Sequence, residues 1–129
     1  MFHYTVETGK SMDEAIQSLE VSLKEEKFGV LWQFDIEETL KKKGFNFEQP
    51  YKILEVCNPK VANSILTENQ LIGYFLPCKI VVYQDAETKK TKMGLPKPTA
   101  LIEMINEESL MDIATEIENR LISCIDKSV

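Results

Sequence analysis

Two cysteines that lie beside prolines are the residues of this chain whose type and placement most resemble chemistry. Cys57 stands in the run Val56-Cys57-Asn58-Pro59, and Cys78 follows Leu76-Pro77. Each cysteine lies where an apolar run meets a backbone-breaking residue, so each is predicted at the end of a strand. A thiol at a strand end is held in place and can be reached from solvent, as a reactive or ligand-binding thiol must be.

The three cysteines differ in what their surroundings predict. Cys57 precedes a predicted helix N-terminus, whose dipole and free amides favour a thiolate or an anion, but a small side chain packed at a turn explains it equally well. For Cys78, packing on a central strand explains the residue nearly as well as a constrained ligand-binding role does. Cys124 lies on the apolar stripe of the last helix and is predicted to be buried in the core.

Other catalytic and metal-binding patterns have little support. The twenty residues between Cys57 and Cys78 match neither a CxxC redox pair nor a four-ligand zinc site, and His3 is the only histidine. Asp35 and the two glutamates after it are explained by a helix start, where carboxylates interact favourably with the dipole. No phosphate-binding glycine loop and no serine-hydrolase motif occurs. We therefore predict no metal and no cofactor, and binding is favoured over enzymatic activity.

Composition restricts the class of protein. The 129 residues, 43% of them hydrophobic, predict one domain over residues 1–129 with a single core. A net charge of -6 disfavours nucleic acid and anionic membranes as partners. No secretory signal or membrane-spanning run is recognised, and an odd number of cysteines favours reduced thiols, so a cytoplasmic location is expected.

Hydrophobic periodicity predicts strands and helices in alternation. The predicted strands cover residues 2–7, 30–36, 51–57, 78–83 and 91–95, the fourth being central and the fifth edge-like. The predicted helices cover about 12–27, 37–43 and 99–105, with a further helix opened by Pro59 and a last one starting at Ser109 with Asp112. In the second strand, Val30, Trp32 and Phe34 are expected to fill the core side.

These elements predict an α+β fold: a curved, mainly antiparallel sheet with two long helices packed on one face, in a β-α-β(4)-α core with short helical insertions. Apolar groups on the other face of the sheet, such as Tyr51, Ile53 or Tyr83, would need a cover. A second copy of the chain is the simplest cover, and a homodimer is expected.

Two segments carry a family resemblance. The sequence resembles the domain-of-unknown-function family 302, DUF302, in two segments: residues 51–62, which contain Cys57-Asn58-Pro59, and residues 76–83, which contain Leu76-Pro77-Cys78. Residues 34–36 through 40–43 are also similar to the family. The resemblance covers nearly the whole chain and implies a compact, dimeric α+β fold similar to the TATA-box-binding-protein arrangement. It implies no established activity, and the fold analogy does not extend to DNA binding.

The family's motif positions correspond to Asp35, Lys43, Cys57, Asn58, Pro59, Leu76, Pro77 and Cys78. The chain departs from the family pattern at Glu55, Lys79 and Gln84, where glycine, asparagine and an acidic residue are common.

Three functions are compatible with these residues. The first is a dimeric module that binds a small apolar or anionic ligand near Cys57 and Cys78, with Asp35, Lys43, Cys57, Asn58 and Cys78 as candidate ligand-binding residues. The second is a thiol-dependent redox protein that uses Cys57 and Cys78, which requires their Cα atoms to lie within about 7 Å. The third is a structural or interaction domain without catalytic activity.

Overall fold

The computed structural model describes residues 1–129 and contains one five-stranded antiparallel sheet with the strand order β1-β5-β4-β3-β2. The strands are β1 (His3–Thr8), β2 (Gly29–Asp35), β3 (Tyr51–Cys57), β4 (Cys78–Gln84) and β5 (Thr91–Pro96). The helices are α1 (Met12–Glu25), α2 (Ile36–Lys42), α3 (Pro59–Glu68), α4 (Pro98–Ile105) and α5 (Met111–Ser128). The 3₁₀ segments Gln70–Phe75 and Glu108–Leu110 precede β4 and α5. The predicted α+β class and the central position of β4 are confirmed.

Local sequence explains where the helices begin. At α1, Ser11 and Glu14 form the predicted capping box, each side chain bonding the backbone of the other residue. Asp35 and Asn58 cap α2 and α3 through their side-chain oxygens. The predicted cap of the last helix is wrong, because α5 starts at Met111 after a 3₁₀ turn and has no side-chain cap.

One face of the sheet forms the core together with α1 and α5. The strand residues on this face alternate with those on the other face and are completely or nearly completely buried: Leu54, Val56, Ile80, Val82, Met93 and Leu95. The two long helices pack against each other as well as on the sheet. We call this side of the sheet the helix face.

Long-range hydrogen bonds attach α5 to the rest of the fold. The Tyr4 hydroxyl donates to Asp126 at 2.6 Å and so ties β1 to the end of α5. Arg120 donates from Nε to the Glu26 carboxylate at 3.2 Å, and its guanidinium lies 5.1 Å from the centre of the Phe28 ring. These contacts fix α5 across the sheet, where it forms one wall of the site described below.

The prediction that β5 is edge-like is wrong. β5 pairs with both β1 and β4, so the edges of the sheet are β1 and β2. The prediction relied on Pro96, which proves to be the last residue of the strand, where proline is tolerated. Because β1 pairs with a strand nearly ninety residues later, this partner could not be read from local pattern.

A β-bulge in β2 changes which side chains of that strand face the core, so the prediction that Trp32 and Phe34 fill the core side is wrong. Val30 pairs with Val56 and packs against the core, whereas after the irregularity Trp32 pairs with Glu55 and Phe34 with Ile53. An extra residue in a strand reverses the alternation of side chains. Trp32 and Phe34 therefore lie on the face opposite Val30, and Trp32 stays 53% exposed.

Candidate functional site

A cavity with a mainly apolar wall lies between the helices and one end of the sheet. Its volume is about 330 Å³, and it is open to solvent on the side where the exposed Tyr74 borders it. Apolar side chains form most of the wall, including Ile65, Ile72, Leu76, Leu95, Ile102, Leu110, Ile113, Ala114, Ile117 and Leu121. Glu55 and Lys79 are its only charged lining residues. The cavity therefore suits a small, mainly apolar molecule.

Two helical segments hold the cavity walls. On one side, the end of α3 and the following 3₁₀ segment contribute Ile65 and Ile72. On the other side, α4 is fixed to α5 because the Thr99 amide and hydroxyl both donate to Glu118 Oε1, at 3.1 and 2.7 Å. Glu118 thus caps α4, which has no cap of its own from Lys97.

Cys78 is the one predicted thiol that lies in the cavity wall. It pairs with Val56, and both residues lie on the helix face. Burial raises the pKa of the Cys78 thiol from an ordinary 9.0 to about 11, and the charge of Cys57 adds a smaller increase. At neutral pH Cys78 is therefore a neutral thiol, which behaves as a weak hydrogen-bond donor and a small apolar surface.

Cys57 does not line the cavity. It is the last residue of β3 and follows Val56, so strand alternation directs it away from the face that carries Cys78. Asn58 comes between Cys57 and α3, and its side chain already accepts the Val61 amide at 3.2 Å. Cys57 therefore precedes the helix cap, and both cysteines are free thiols.

The structure does not bring all the predicted ligand-binding residues together. Of the five, only Cys78 lines the cavity; Asn58 is buried as a helix cap. Asp35 caps α2 by accepting the Glu38 amide at 2.9 Å, and Lys43 lies at the other end of that helix. Asp35 and Lys43 thus have structural roles at the two ends of α2.

The sequence pattern gave no sign that α4 and α5 contribute to a site. Ile102, Ile113 and Ile117 occupy apolar helix positions, which in a sequence are indistinguishable from ordinary core positions. Whether such a stripe meets another surface or leaves a gap depends on how the elements pack.

The sheet face opposite the helices carries a second set of exposed chemistry, which we call the outer face. Its middle row, read across β2, β3 and β4, is Phe34, Ile53 and Val81. One flanking row contains Trp32, Glu55 and Lys79, and the other contains Tyr51 and Tyr83. Trp32 stacks on Phe34 at 5.2 Å between ring centres, and Tyr51 stacks on Tyr83 at 5.3 Å.

None of these outer-face residues is buried, although most are apolar or aromatic. The arrangement has an apolar centre with polar groups around it, as protein interfaces do. No group of three or more His, Cys, Asp or Glu side chains is placed to hold a metal ion. No helix has both the length and the apolar character needed to cross a bilayer.

Comparison with known proteins places the chain in a family. The family model described as "Domain of unknown function DUF302" matches residues 4–128. The crystal structure of an uncharacterized conserved DUF302 protein from Bacillus stearothermophilus is 54% identical, covers 100% of this chain and 99% of its own, and has a TM-score of 0.96. No curated protein is significantly similar. Since both matches span nearly the whole length, the chain belongs to the DUF302 family, whose function is unknown.

Proposed function

We propose that the protein is a binding module that holds a small apolar ligand in the cavity beside Cys78 and that it works as a homodimer. The observation that carries the ligand proposal is the cavity itself, with its apolar wall and an open mouth. Its volume of about 330 Å³ lies at the lower end of the roughly 300–1,000 Å³ that ligand pockets occupy.

The size of the cavity limits the size of the ligand. A carbon or oxygen atom with its hydrogens occupies about 30 Å³, the volume of one water molecule in the liquid. The cavity of about 330 Å³ therefore holds a ligand portion of on the order of ten non-hydrogen atoms. A bicyclic aromatic compound or a short branched chain fits this volume.

A ligand-binding role fits Cys78 better than thiol catalysis does. A thiol nucleophile reacts as the thiolate, and the raised pKa of Cys78 keeps that form rare at neutral pH. The redox hypothesis that pairs Cys57 with Cys78 stays a prediction, and a maleimide titration in native buffer tests it. If both cysteines were alkylated rapidly near pH 7 and formed a disulfide on mild oxidation, the redox hypothesis would replace the binding one.

The ligand proposal is tested by titrating 2-naphthol, a probe of suitable size, into the purified protein in a calorimeter. We expect saturable binding with a Kd between about 1 µM and 1 mM, as a ligand of this size allows. Native mass spectrometry of protein purified from cells should also detect a bound small molecule. Absence of saturable probe binding up to millimolar concentration would refute the proposal.

A cavity-filling variant makes this test specific. Ala114→Leu adds atoms at the cavity wall and should weaken 2-naphthol binding at least tenfold, while thermal stability is kept or raised because empty space is filled. Ala62→Leu on α3 is the matched control, since Ala62 does not line the cavity. Equal probe affinity in both variants would place the probe elsewhere.

The homodimer proposal is supported by the outer face. Its central residues Phe34, Ile53 and Val81 stay partly exposed and lie outside the core cluster. Apolar patches of this kind on a sheet are typical of interaction surfaces. A second copy that presents the same patch covers it with an interface of two-fold symmetry.

Sedimentation equilibrium tests the dimer. Val81→Lys places a charge at the centre of the outer face and should weaken dimerisation at least tenfold. Val21→Lys is the control, because Val21 lies on α1 and is already 61% exposed. A wild-type protein that is monomeric at every concentration, or a dimer indifferent to Val81→Lys, would exclude this interface.

A further inference from the structure

We infer that residues 58–77 form a lid over the cavity, which opens by local unfolding to admit a ligand and is held closed by a bound ligand. We call these residues the lid segment; they contain α3 and the 3₁₀ segment that follows it. The inference rests on the ligand-binding part of the proposed function and adds the route by which a ligand enters. It also gives a role to the two proline motifs, because Asn58-Pro59 and Leu76-Pro77 stand at the two ends of the lid segment.

Both ends of the lid segment are fixed in the sheet at neighbouring positions. Val56 at the end of β3 pairs with Cys78, the first residue of β4, and Cys57 pairs with Gly29 on β2. The chain therefore leaves the sheet after Cys57 and returns to it at Cys78. The lid segment can move away from the rest of the protein without breaking a strand pair.

Polar contacts do not attach the lid segment to the rest of the protein. Its side-chain hydrogen bonds, such as those from the Val61 amide to Asn58 and from the Leu71 amide to Asn69, all stay within the segment. The backbone hydrogen bonds of its caps and turns also stay within it. None of the ion pairs of the chain includes one of its residues. Apolar contacts alone are left to hold the lid segment in place.

The apolar contacts of the lid segment are weakened by the cavity. Val61, Ile65, Ile72 and Leu76 pack in or against the core, and the last three of them also line the cavity. A side chain that borders empty space lacks partner atoms on that side and loses the corresponding dispersion energy. In agreement with this, α3 and the 3₁₀ segment pack mainly against each other. The lid segment is therefore attached more weakly than α5, which has long-range hydrogen bonds to β1 and to the end of α1.

Opening of the lid segment involves unfolding of α3. This helix has ten residues, and isolated helices shorter than about 12–15 residues are only marginally stable in water. Once detached from the core, α3 should therefore unfold. Segments with few buried contacts and no long-range hydrogen bonds open at a small part of the global unfolding free energy. The opposite wall stays in place, because Thr99 and Glu118 fix α4 to α5.

A bound ligand favours the closed lid. The cavity has Ile65 and Ile72 of the lid segment on one side and Ile102, Ile113 and Ile117 of α4 and α5 on the other. A ligand that fills the cavity contacts both sides and supplies the packing that the empty space lacks. It makes both sets of contacts only when the lid is closed, so its binding shifts the equilibrium toward the closed state.

Hydrogen exchange of the ligand-free protein tests the lid independently of any ligand. Protection is the factor by which the folded structure slows the exchange of an amide. We expect the protection of amides in residues 59–76 to be at least about a hundredfold lower than that of amides in β4. Addition of 2-naphthol at tenfold its Kd should raise the protection of the lid segment about tenfold. Amides of α2, which does not border the cavity, should not respond.

A matched pair of cap variants tests whether the lid controls entry. Asn58→Ala and Asp35→Ala each remove a side-chain cap, which accepts the amide three residues later at 3.2 and 2.9 Å, respectively. Asn58→Ala should lower the protection of the lid segment at least about threefold, as loss of a cap destabilises the closed helix. It should also accelerate association and dissociation of 2-naphthol by a similar factor with nearly unchanged Kd, because a gate limits both directions. Asp35→Ala is the control and should change neither the protection of the lid segment nor the 2-naphthol rates.

The outcomes separate the lid from the binding site. Protection in residues 59–76 equal to that in β4, or 2-naphthol rates that Asn58→Ala leaves unchanged, would overturn the lid while the binding site stands. Protection of the lid segment that does not rise with bound 2-naphthol would likewise show that the ligand does not hold it closed. Absence of saturable 2-naphthol binding, in a protein whose lid segment exchanges early, would refute the ligand proposal and with it the role of the lid as a gate.

Discussion

The two faces of the sheet have similar sequences and different surroundings. On β3, Leu54 and Val56 face the helices and are completely buried, whereas Tyr51 and Ile53 face outward and stay partly exposed. Apolar residues on both faces of a strand predict cover on both sides. The two long helices, α1 and α5, cover the helix face. The difference indicates that apolar character in a strand can reflect a partner as well as a core.

The same comparison separates the two cysteines that first suggested chemistry. Cys78 belongs to the helix face and borders the cavity, and its burial removes it from thiolate chemistry at neutral pH. Cys57 lies beyond the last helix-face position of β3 and stays half-buried. The two cysteines, one position apart in the strand register, thus face opposite sides of the sheet.

The strongest test of the comparison is a matched pair of truncations on β3. Leu54→Ala should lower the free energy of unfolding by about 2–5 kcal/mol, because it leaves a cavity in the core. Ile53→Ala should lower it by less than about 1.5 kcal/mol, because the removed atoms are already partly hydrated. Urea denaturation, at a protein concentration where the monomer dominates, measures both.

Equal costs for Leu54→Ala and Ile53→Ala in the monomer would mean that the outer face is packed as tightly as the core. That result would argue against an interface there.

A second pair tests the bulge in β2. Val30→Asp places a carboxylate against the core and should cost about 2 kcal/mol or more of unfolding free energy. Trp32→Asp, on the other side of the bulge, should cost less than about 1 kcal/mol and should weaken dimerisation instead. Denaturation and sedimentation measured together assign each residue to a face, and the reverse pattern would place Trp32 in the core.

The smallest effect concerns the pH dependence that Cys78 produces. Because the pKa of Cys78 rises to about 11 on folding, the folded thiol stays neutral while the unfolded thiol ionises above about pH 9. Stability should therefore be intact below pH 9 and fall as the pH rises toward 11, by up to about 2 kcal/mol from this group. In Cys78→Val, the contribution of this thiol to the loss of stability at high pH should be absent.

Cys57→Val, which replaces a thiol on the other face of the sheet, is measured alongside as the matched control. Because lysines and tyrosines also titrate in this range, the difference between each variant and the wild type is compared. An unchanged slope in Cys78→Val would mean that Cys78 is solvated.

Much of the fold could be predicted from local pattern. Three helix starts were predicted from their capping residues: Ser11 with Glu14, Asp35 and Asn58. Such a cap joins residues only three positions apart. Gly44, which adopts a φ of 89°, ends α2 as expected because this backbone region favours glycine. Such features depend on neighbours along the chain and are visible in the sequence.

The candidate site could be predicted only in part for the opposite reason. Cys78 was identified because Pro77 marks its position, but the rest of the cavity comes from α3, α4 and α5, which are distant from it in the chain. Asp35 and Lys43 were grouped with it by motif alone, although they lie at the ends of α2. Nothing local distinguishes an apolar residue that borders a cavity from one that fills the core.

Local pattern is enough to predict the α+β class, the order of the elements, the central β4 and most helix starts, because periodicity and capping act over a few residues. Long-range packing sets the pairing of β1 with β5, the outward direction of Trp32 after the bulge, and the position of Cys78, but not Cys57, at the wall of a cavity. These features depend on which distant surfaces meet and how well they fit, and side-chain burial follows from that packing.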